Sequence, residues 1–155
     1  MDKIKIIQDT REQKPWTFPP DEFEVTVAKL AAGDYSIAGL EDEFAIERKS
    51  LGDLVGTVIG GWIRFRKELN RLAGYRSAAI IVEADISDIL EHRYESEANP
   101  ASVMGRINSI LNDYSIPTLF WGSRDHCVPS VVQYIKHYHR ENIQWITPLP
   151  NSTSK

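Results

Sequence analysis

The chain of 155 residues contains a single cysteine, Cys127. One cysteine excludes an internal disulfide and a cysteine-rich zinc site, in agreement with a reducing compartment, and we expect the thiol to fill space in the core. No apolar run approaches the ~20 residues that a membrane-spanning helix needs, and residues 1–4 lack the apolar character of a signal peptide. We therefore expect a cytoplasmic, intracellular protein with no membrane partner.

An excess of positive charge is also missing, because 18 lysines and arginines stand against 22 acidic residues and the formal net charge is −4. This balance argues against a surface coated with basic groups for tight, non-specific nucleic-acid binding. The charge is unevenly distributed, since segment 64–76 is basic whereas segments 41–43 and 83–97 are acidic. The sequence therefore predicts an electrically polarised molecule.

The composition is that of a globular protein, with 42% hydrophobic and 26% charged residues. The length suits one domain with a sizeable core, and the sequence shows no internal repeat. We expect residues 1–142 to form this domain and residues 143–155, rich in Pro, Ser and Thr from Thr147 onward, to form a loose C-terminal tail.

The order of apolar patterns predicts the fold class. Alternating or short apolar segments predict strands at 3–8, 23–27, 35–37, 44–49, 78–82 and 116–121. Apolar residues at helical spacing predict a helix opened by Ser50 and ended by Gly60, and further helices at about 62–73, 103–114 and 128–140. Early strands followed by alternating helices and strands indicate a three-layer α/β/α sandwich with a mixed central sheet.

The segment 44–49 contains the most informative charges. In an extended strand alternate side chains share a face, so Glu47 and Lys49 point one way while Arg48 points the other. If a turn at Gly33 brings Asp34 beside Glu47, two hard oxygen ligands and one ammonium group converge. Such a group suits a Mg²⁺-assisted attack on a phosphodiester, so the sequence predicts a nuclease site.

Each of these residues also has a simpler interpretation. Glu47 and Lys49 could form a surface ion pair worth well under ~1 kcal/mol, and Asp34 could be a turn residue. The apolar pattern around the pair favours catalysis, because buried charges without a partner are costly and a bound cation gives them one. In the catalytic interpretation Asp34 and Glu47 hold Mg²⁺ together with the carbonyl oxygen of Arg48. Lys49 then orients or deprotonates the attacking water and offsets the charge that develops on the phosphate.

Several motifs together resemble the nuclease domain of the XPF-type structure-specific endonucleases. That family has a Gly-Asp pair, a variable stretch, then Glu-Arg-Lys, three residues and Asp. The matching motifs are Asp9-Thr10-Arg11-Glu12, Gly33-Asp34-Tyr35, Glu47-Arg48-Lys49-Ser50 and Asp53-Leu54, continuing through Arg64-Phe65, Glu68-Leu69 and 80–83. The resemblance implies a restriction-endonuclease-like fold and a divalent-metal cofactor, Mg²⁺ with Mn²⁺ as a substitute. It also implies cleavage of DNA near junctions between duplex and single strand, in repair, recombination or phage DNA processing.

The resemblance has limits that bear on partners. The chain has no room after Arg140 for the helix-hairpin-helix domain of eukaryotic and archaeal relatives, so we expect a small stand-alone member, of phage or bacterial type. Family nuclease domains pair through surface helices, which makes a homodimer through the last helix a hypothesis. Two rival functions are a catalytically inactive subunit that binds DNA junctions and a nuclease for plain duplex or RNA ends. Inactive partners usually lose the acidic or lysine positions, which are present here.

The remaining candidate residues keep two interpretations each. Asp9 and Glu12 could bind a second ion or steer the first, or could form an Asx-turn or helix cap. Arg11 could hold a phosphate or pair with Glu12. The resemblance makes Arg48 functionally important, although a structural ion pair is its simplest role. Asp53 lies at the capping-box distance from Ser50, while the family pattern places an acid beside the site.

Arg64, Lys67 and Arg71 lie on the polar side of the predicted helix 62–73. Their simplest role is a solvated helix face, with Arg64 paired to Glu68 at i,i+4. Their functional role would be contact with DNA phosphates, for which Arg64 is the first choice.

Overall fold

The structure is a computed structural model that describes residues 2–146. It contains six strands, β1 to β6 in chain order, at Ile4–Gln8, Phe23–Val27, Tyr35–Ile37, Phe44–Lys49, Ser77–Val82 and Thr118–Phe120. The helices α1 to α5 lie at Leu51–Val58, Trp62–Ala73, Ile86–Leu90, Pro100–Tyr114 and Arg124–Ile146. The predicted strands and helices are confirmed, and the predicted tail from Thr147 onward lies outside the described residues. Within 2–146 no helix combines the length and the apolar character required to cross a bilayer.

Two helices differ from the prediction. The short α3 forms inside the acidic stretch, where the carboxylate of Asp88 accepts a hydrogen bond from the backbone N–H of Asp85 at 2.9 Å. A helix of five residues is too short to show a helical period in the sequence. Helix α5 continues past its predicted end at about residue 140, although Asn142 itself has non-helical backbone angles (φ −125°, ψ 15°).

The strands form one mixed sheet in the order β2-β1-β3-β4-β5-β6. Strand β3 runs antiparallel to its neighbours β1 and β4, whereas the β1–β2, β4–β5 and β5–β6 pairs are parallel. The C-terminal ends of β1 and β4 and the start of β3 therefore lie side by side at one end of the strands. In α/β folds a functional site usually lies at the C-terminal ends of the parallel strands.

The alternation of side chains along β4 separates two cores. Ala45 packs on one face with buried residues of α1, α2 and α4, whereas Phe44 and Ile46 pack on the other face with α5 and with Trp16. Helices thus cover both faces, and the predicted three-layer α/β/α sandwich is confirmed. Helix α5 places Val131, Val132 and Ile135 in the second core, so its apolar side serves its own chain.

A glycine turn connects this fold to the candidate chemistry. Gly33 has φ +79°, a conformation that L side chains rarely adopt, and a Cβ atom there would lie 3.1 Å from the carbonyl oxygen of Ile46. The next residue, Asp34, donates its backbone N–H to that same oxygen at 2.7 Å. The turn therefore holds the backbone of Asp34 directly against β4.

We expect Gly33→Ala to destabilise the fold by roughly 1–3 kcal/mol, because the new methyl group meets the β4 backbone in a strained conformation. Urea unfolding followed by circular dichroism measures this loss. Gly105→Ala in α4 is the matched control, since nothing lies within 4 Å of its Cβ position, and it should be neutral or stabilising. Equal stability of the two variants would contradict the proposed packing of the turn.

Candidate active site

A cavity of about 570 Å³ opens where the C-terminal ends of β1 and β4 meet the start of β3. Three glycines line it, Gly52 and Gly56 in α1 and Gly61 just before α2, so backbone and open space replace side chains at these positions. The charged residues that line it are Asp9, Arg11, Asp34, Glu47, Lys49, Asp53, Arg64 and Glu68. The cavity thus brings together most of the charged residues that the sequence analysis selected.

The carboxylates of Asp34 and Glu47 and the ammonium of Lys49 share this cavity, as the strand alternation predicts. The Lys49 Nζ lies 3.6 Å from a Glu47 oxygen, and the two side chains are only 15% and 16% exposed. Asp34 accepts a hydrogen bond from the backbone N–H of Arg48 at 2.7 Å. Two acidic groups and one cation therefore converge, with one negative charge in excess when all three are ionised.

This convergence disturbs the ionisation of both acids. Burial raises the pKa of Glu47 to about 8, and the neighbouring Asp34 carboxylate adds to the rise while Lys49 opposes it. Burial also raises the pKa of Asp34 to about 6, against the lowering effect of the hydrogen bond from Arg48. Two crowded carboxylates that resist ionisation are typical of a site that lacks a further positive charge.

Lys49 is held in place by two further contacts. Its Nζ donates a hydrogen bond to the hydroxyl of Thr57 in α1 at 3.2 Å and lies 5.3 Å from the centre of the Phe65 ring in α2. A cation over an aromatic face is stabilised electrostatically. The ammonium group is thus directed into the cavity by both helices that form its walls.

Asp9 lines the cavity, but its carboxylate is 1% exposed and already has partners. One oxygen accepts from the backbone N–H of Leu30 at 2.8 Å, and the other accepts from Nε of Arg11 at 2.8 Å. Burial would raise the pKa of Asp9, but the hydrogen bonds from Arg11 and Leu30 outweigh burial and lower it. Arg11, 66% exposed, therefore pairs with Asp9 and not with Glu12.

Glu12, for which the sequence allows an ion-binding role or a turn or cap role, contacts the reverse face of β4 and is not among the residues that line the cavity. Its two oxygens accept from Nε and Nη2 of Arg48, both at 2.8 Å, and its side chain is 2% exposed. This bidentate pair is a structural ion pair, which is the simplest of the roles predicted for Arg48. The physical reason is the alternation of β4, which turns Arg48 away from Glu47.

A network of ion pairs continues from this pair to the exposed Arg124 at the start of α5. Arg48 also donates to one oxygen of Glu83 at 2.8 Å, and the other oxygen accepts from Trp16 Nε1 and from Arg124 Nε, both at 2.9 Å. Arg124 in turn donates to the backbone carbonyls of Lys14 and Pro15. The network has two acids and two arginines and satisfies each of their charges. Neither Glu83 nor Arg124 gives a local signal of this role in the sequence, because their partners lie tens of residues away.

The basic residues of α2 separate into different positions. Arg64 lines the cavity, Lys67 is exposed on the solvent side, and Arg71 pairs with Glu68 at 2.7 Å. The predicted Arg64–Glu68 pair is thus replaced by an i,i+3 pair, which leaves Arg64 at the cavity wall.

Asp53 lines the cavity, and its backbone N–H donates to the hydroxyl of Ser50 at 3.2 Å, so the predicted helix cap is confirmed.

Comparison with known proteins identifies a family for most of this chain. The ERCC4 domain family model matches residues 8–133. The 3'-flap repair endonuclease Xpf of Saccharolobus solfataricus is 37% identical over 90 residues, which cover 56% of this chain and 36% of that protein. The chain thus spans about a third of the length of this curated relative.

Solved structures give the same result for the fold. XPF from Aeropyrum pernix matches with a TM-score of 0.69 at 22% identity, over 96% of this chain and 68% of that one. The same protein in complex with DNA matches with a TM-score of 0.67 at 21% identity, over 99% and 70% of the two chains. The family model and these relatives support a nuclease domain of XPF type. The chain belongs to the ERCC4 domain family.

We expect Glu47→Gln to stabilise the metal-free protein at alkaline pH. The pKa of Glu47 rises from 4.5 to about 8 on folding, so the folded state binds more protons and stability falls as pH increases across that interval. The variant avoids this loss, and its gain should grow from near zero at pH 4 to roughly 1–3 kcal/mol at pH 9. Urea unfolding in EDTA measures the gain, with the exposed Glu97→Gln as control. A gain that does not depend on pH would contradict the argument.

Glu83→Ala should destabilise the protein by about 3–5 kcal/mol, because it leaves part of the Arg48 guanidinium and the Trp16 indole N–H without a buried acceptor. Glu91→Ala is the control, since that side chain is 62% exposed and its ion pair with Arg93 should contribute less than ~1 kcal/mol. Denaturant unfolding of both variants provides the comparison. Similar losses would mean that the network does not support the fold.

Proposed function

We propose that this protein is a metal-dependent DNA endonuclease that hydrolyses phosphodiester bonds at branched or duplex/single-strand junction DNA. The observation that carries the proposal is the convergence of Asp34, Glu47 and Lys49 in one cavity, with Asp34 and Glu47 resisting ionisation. Membership of the ERCC4 domain family supports the same chemistry. The proposed domain comprises residues 1–142.

The residues present fit a divalent cation. Asp34 and Glu47 provide hard carboxylate oxygens, which are the ligands that Mg²⁺ prefers, and Mn²⁺ accepts the same set. No group of three or more acidic, histidine or cysteine side chains suited to a metal occurs within residues 2–146, so water and backbone oxygen would complete the coordination. A cation held by these two groups would supply positive charge to polarise the phosphodiester. Asp9 is less suited as a ligand, because Arg11 and Leu30 already bind its oxygens.

The side chains around the cavity have separate tasks in this reaction. The Lys49 ammonium, directed by Thr57 and Phe65, orients the attacking water and stabilises the charge that grows on the phosphate oxygens. Arg64 at the cavity wall and the exposed Arg11 hold neighbouring phosphates. Gly52 and Gly56 of α1 leave space for a nucleic-acid backbone to approach closely. Lys67 and Arg71 extend the positive charge along α2.

Two observations support DNA as the substrate. One relative carries the name of a 3'-flap repair endonuclease, and one structural neighbour was solved in complex with DNA. Junction DNA is therefore the substrate class to test first. The rival function, an inactive junction-binding subunit, is disfavoured because the acids and the lysine of the cavity are all present.

The test uses labelled flap, fork, bubble, duplex and single-stranded DNA with Mg²⁺, Mn²⁺ or EDTA. We expect cleavage of the branched substrates in either metal and none in EDTA. Asp34→Ala, Glu47→Ala and Lys49→Ala should each reduce the rate by at least roughly 100-fold, because each removes a charge from the reacting centre. Thermal unfolding gives a second readout, since Mg²⁺ should raise the Tm of the wild type but not of Glu47→Ala.

The control is Glu97→Ala, an exposed acid outside the cavity, which should cleave like the wild type. Binding of branched DNA without cleavage in either metal would favour the inactive subunit. Cleavage that survives both Glu47→Ala and Lys49→Ala would mean that the active site lies elsewhere.

A further inference from the structure

Helix α2 carries a single acid, Glu68, among four bases. The bases are all exposed, and they are Arg64, Arg66, Lys67 and Arg71. Glu68 lies one helical turn after Arg64, and both side chains line the cavity, because residues four apart share a helix face. A helix whose exposed charges attract phosphate groups therefore presents its one acid, beside Arg64, to the candidate active site.

The charge of Glu68 is only partly cancelled by its neighbour. Its carboxylate accepts a hydrogen bond from Nη1 of Arg71 at 2.7 Å, but Arg71 is 57% exposed and is not among the residues that line the cavity. An exposed ion pair of this kind is weak and is screened by salt. The charge of Glu68 reaches the metal side of the cavity, since the pKa of Glu47, which burial and Asp34 raise, is raised further by Glu68.

The side chains that line the cavity carry more negative than positive charge when all are ionised. Five acids and three bases line it, so two negative charges are in excess. The acids are Asp9, Asp34, Glu47, Asp53 and Glu68, and the bases are Arg11, Lys49 and Arg64. One divalent cation would balance this excess, whereas a phosphate group without a cation would increase it.

We propose that Glu68 makes the entry of DNA into the cavity depend on a bound divalent cation. This inference rests on the proposed nuclease function and names the residue that sets the order of binding. Without a cation, the Glu68 carboxylate repels the phosphate backbone that the outer bases of α2 attract. With a cation held by Asp34 and Glu47, the excess negative charge is balanced and the backbone can approach.

Glu68 acts in this proposal through its charge and not as a metal ligand. Within residues 2–146 no third acidic, histidine or cysteine side chain joins Asp34 and Glu47 in a group suited to a metal. Glu68 is therefore a residue that determines specificity, and it does not contact the reacting atoms. Because its charge also attracts a cation, the same residue favours metal binding and opposes the binding of DNA without metal.

Fluorescence anisotropy of labelled fork DNA in EDTA at low salt tests the proposal. We expect Glu68→Gln to bind roughly 3- to 10-fold more tightly than the wild type, because one negative charge leaves the cavity. The gain should shrink at high salt, which screens the repulsion. Glu68→Asp keeps the charge and should show no such gain. Glu97→Gln removes an exposed acid outside the cavity and should show none either.

A double variant separates the charge of Glu68 from the release of its partner. Glu68→Gln also frees Arg71, and a freed guanidinium could itself bind phosphate. If the charge of Glu68 is the cause, Glu68→Gln combined with Arg71→Gln should bind more tightly than Arg71→Gln alone, by about the same factor. Disappearance of the gain in the double variant would overturn the proposal.

The affinity for the cation gives a readout that requires neither DNA nor cleavage. In thermal unfolding over a Mg²⁺ titration, Glu68→Gln should need roughly 3- to 10-fold more Mg²⁺ than the wild type for the same rise in Tm. An unchanged Mg²⁺ requirement, or equal affinities of Glu68→Gln and the wild type for DNA in EDTA, would overturn the proposal. If both shifts occur but the wild type cleaves no DNA in Mg²⁺ or Mn²⁺, the result would count against the nuclease function alone.

Discussion

The backbone N–H of Arg48 donates a hydrogen bond of 2.7 Å to the carboxylate of Asp34, and the candidate site depends on this contact. It connects the strand that carries Glu47 and Lys49 to the turn that carries the other acid. On the reverse face of the same strand, the Arg48 guanidinium is held by Glu12 and Glu83, each at 2.8 Å. Arg48 is therefore held on both faces of the sheet, and this fixes the positions of its neighbours in β4, Glu47 and Lys49.

The two faces of β4 differ in how their charges are satisfied. On the reverse face, acids and arginines alternate in a closed network, and a fully paired network rigidifies a fold. In the cavity, Asp34 and Glu47 outnumber the one ammonium group, and burial raises the pKa of each. The paired face thus supports the face whose carboxyl groups resist ionisation. In most of a folded protein the charged groups are paired, and functional sites are the usual places where this pairing is incomplete.

Local patterns explain which features could be predicted. Alternation over 44–49 separates Glu47 and Lys49 from Arg48, and Ser50 caps the following helix as its spacing indicates. Local patterns leave the role of Glu12 open between an ion and a turn or cap, and only the folded chain shows that Glu12 meets Arg48 on the other face of β4. Arg124 gave no local signal, since its partner Glu83 is 41 residues away in the chain. Long-range pairing of this kind leaves no period in a single sequence.

The sequence by itself determined the strands, the main helices and the trio of Asp34, Glu47 and Lys49, because periodicity and turn chemistry act over a few residues. Only the tertiary structure decided that Glu68 joins these acids in the cavity while Glu12 does not, which arginine is structural and which strand is left with an open edge. Those outcomes depend on the order of strands in the sheet and on side chains that meet across long stretches of chain. Both are set by packing of the whole domain, which no short segment specifies.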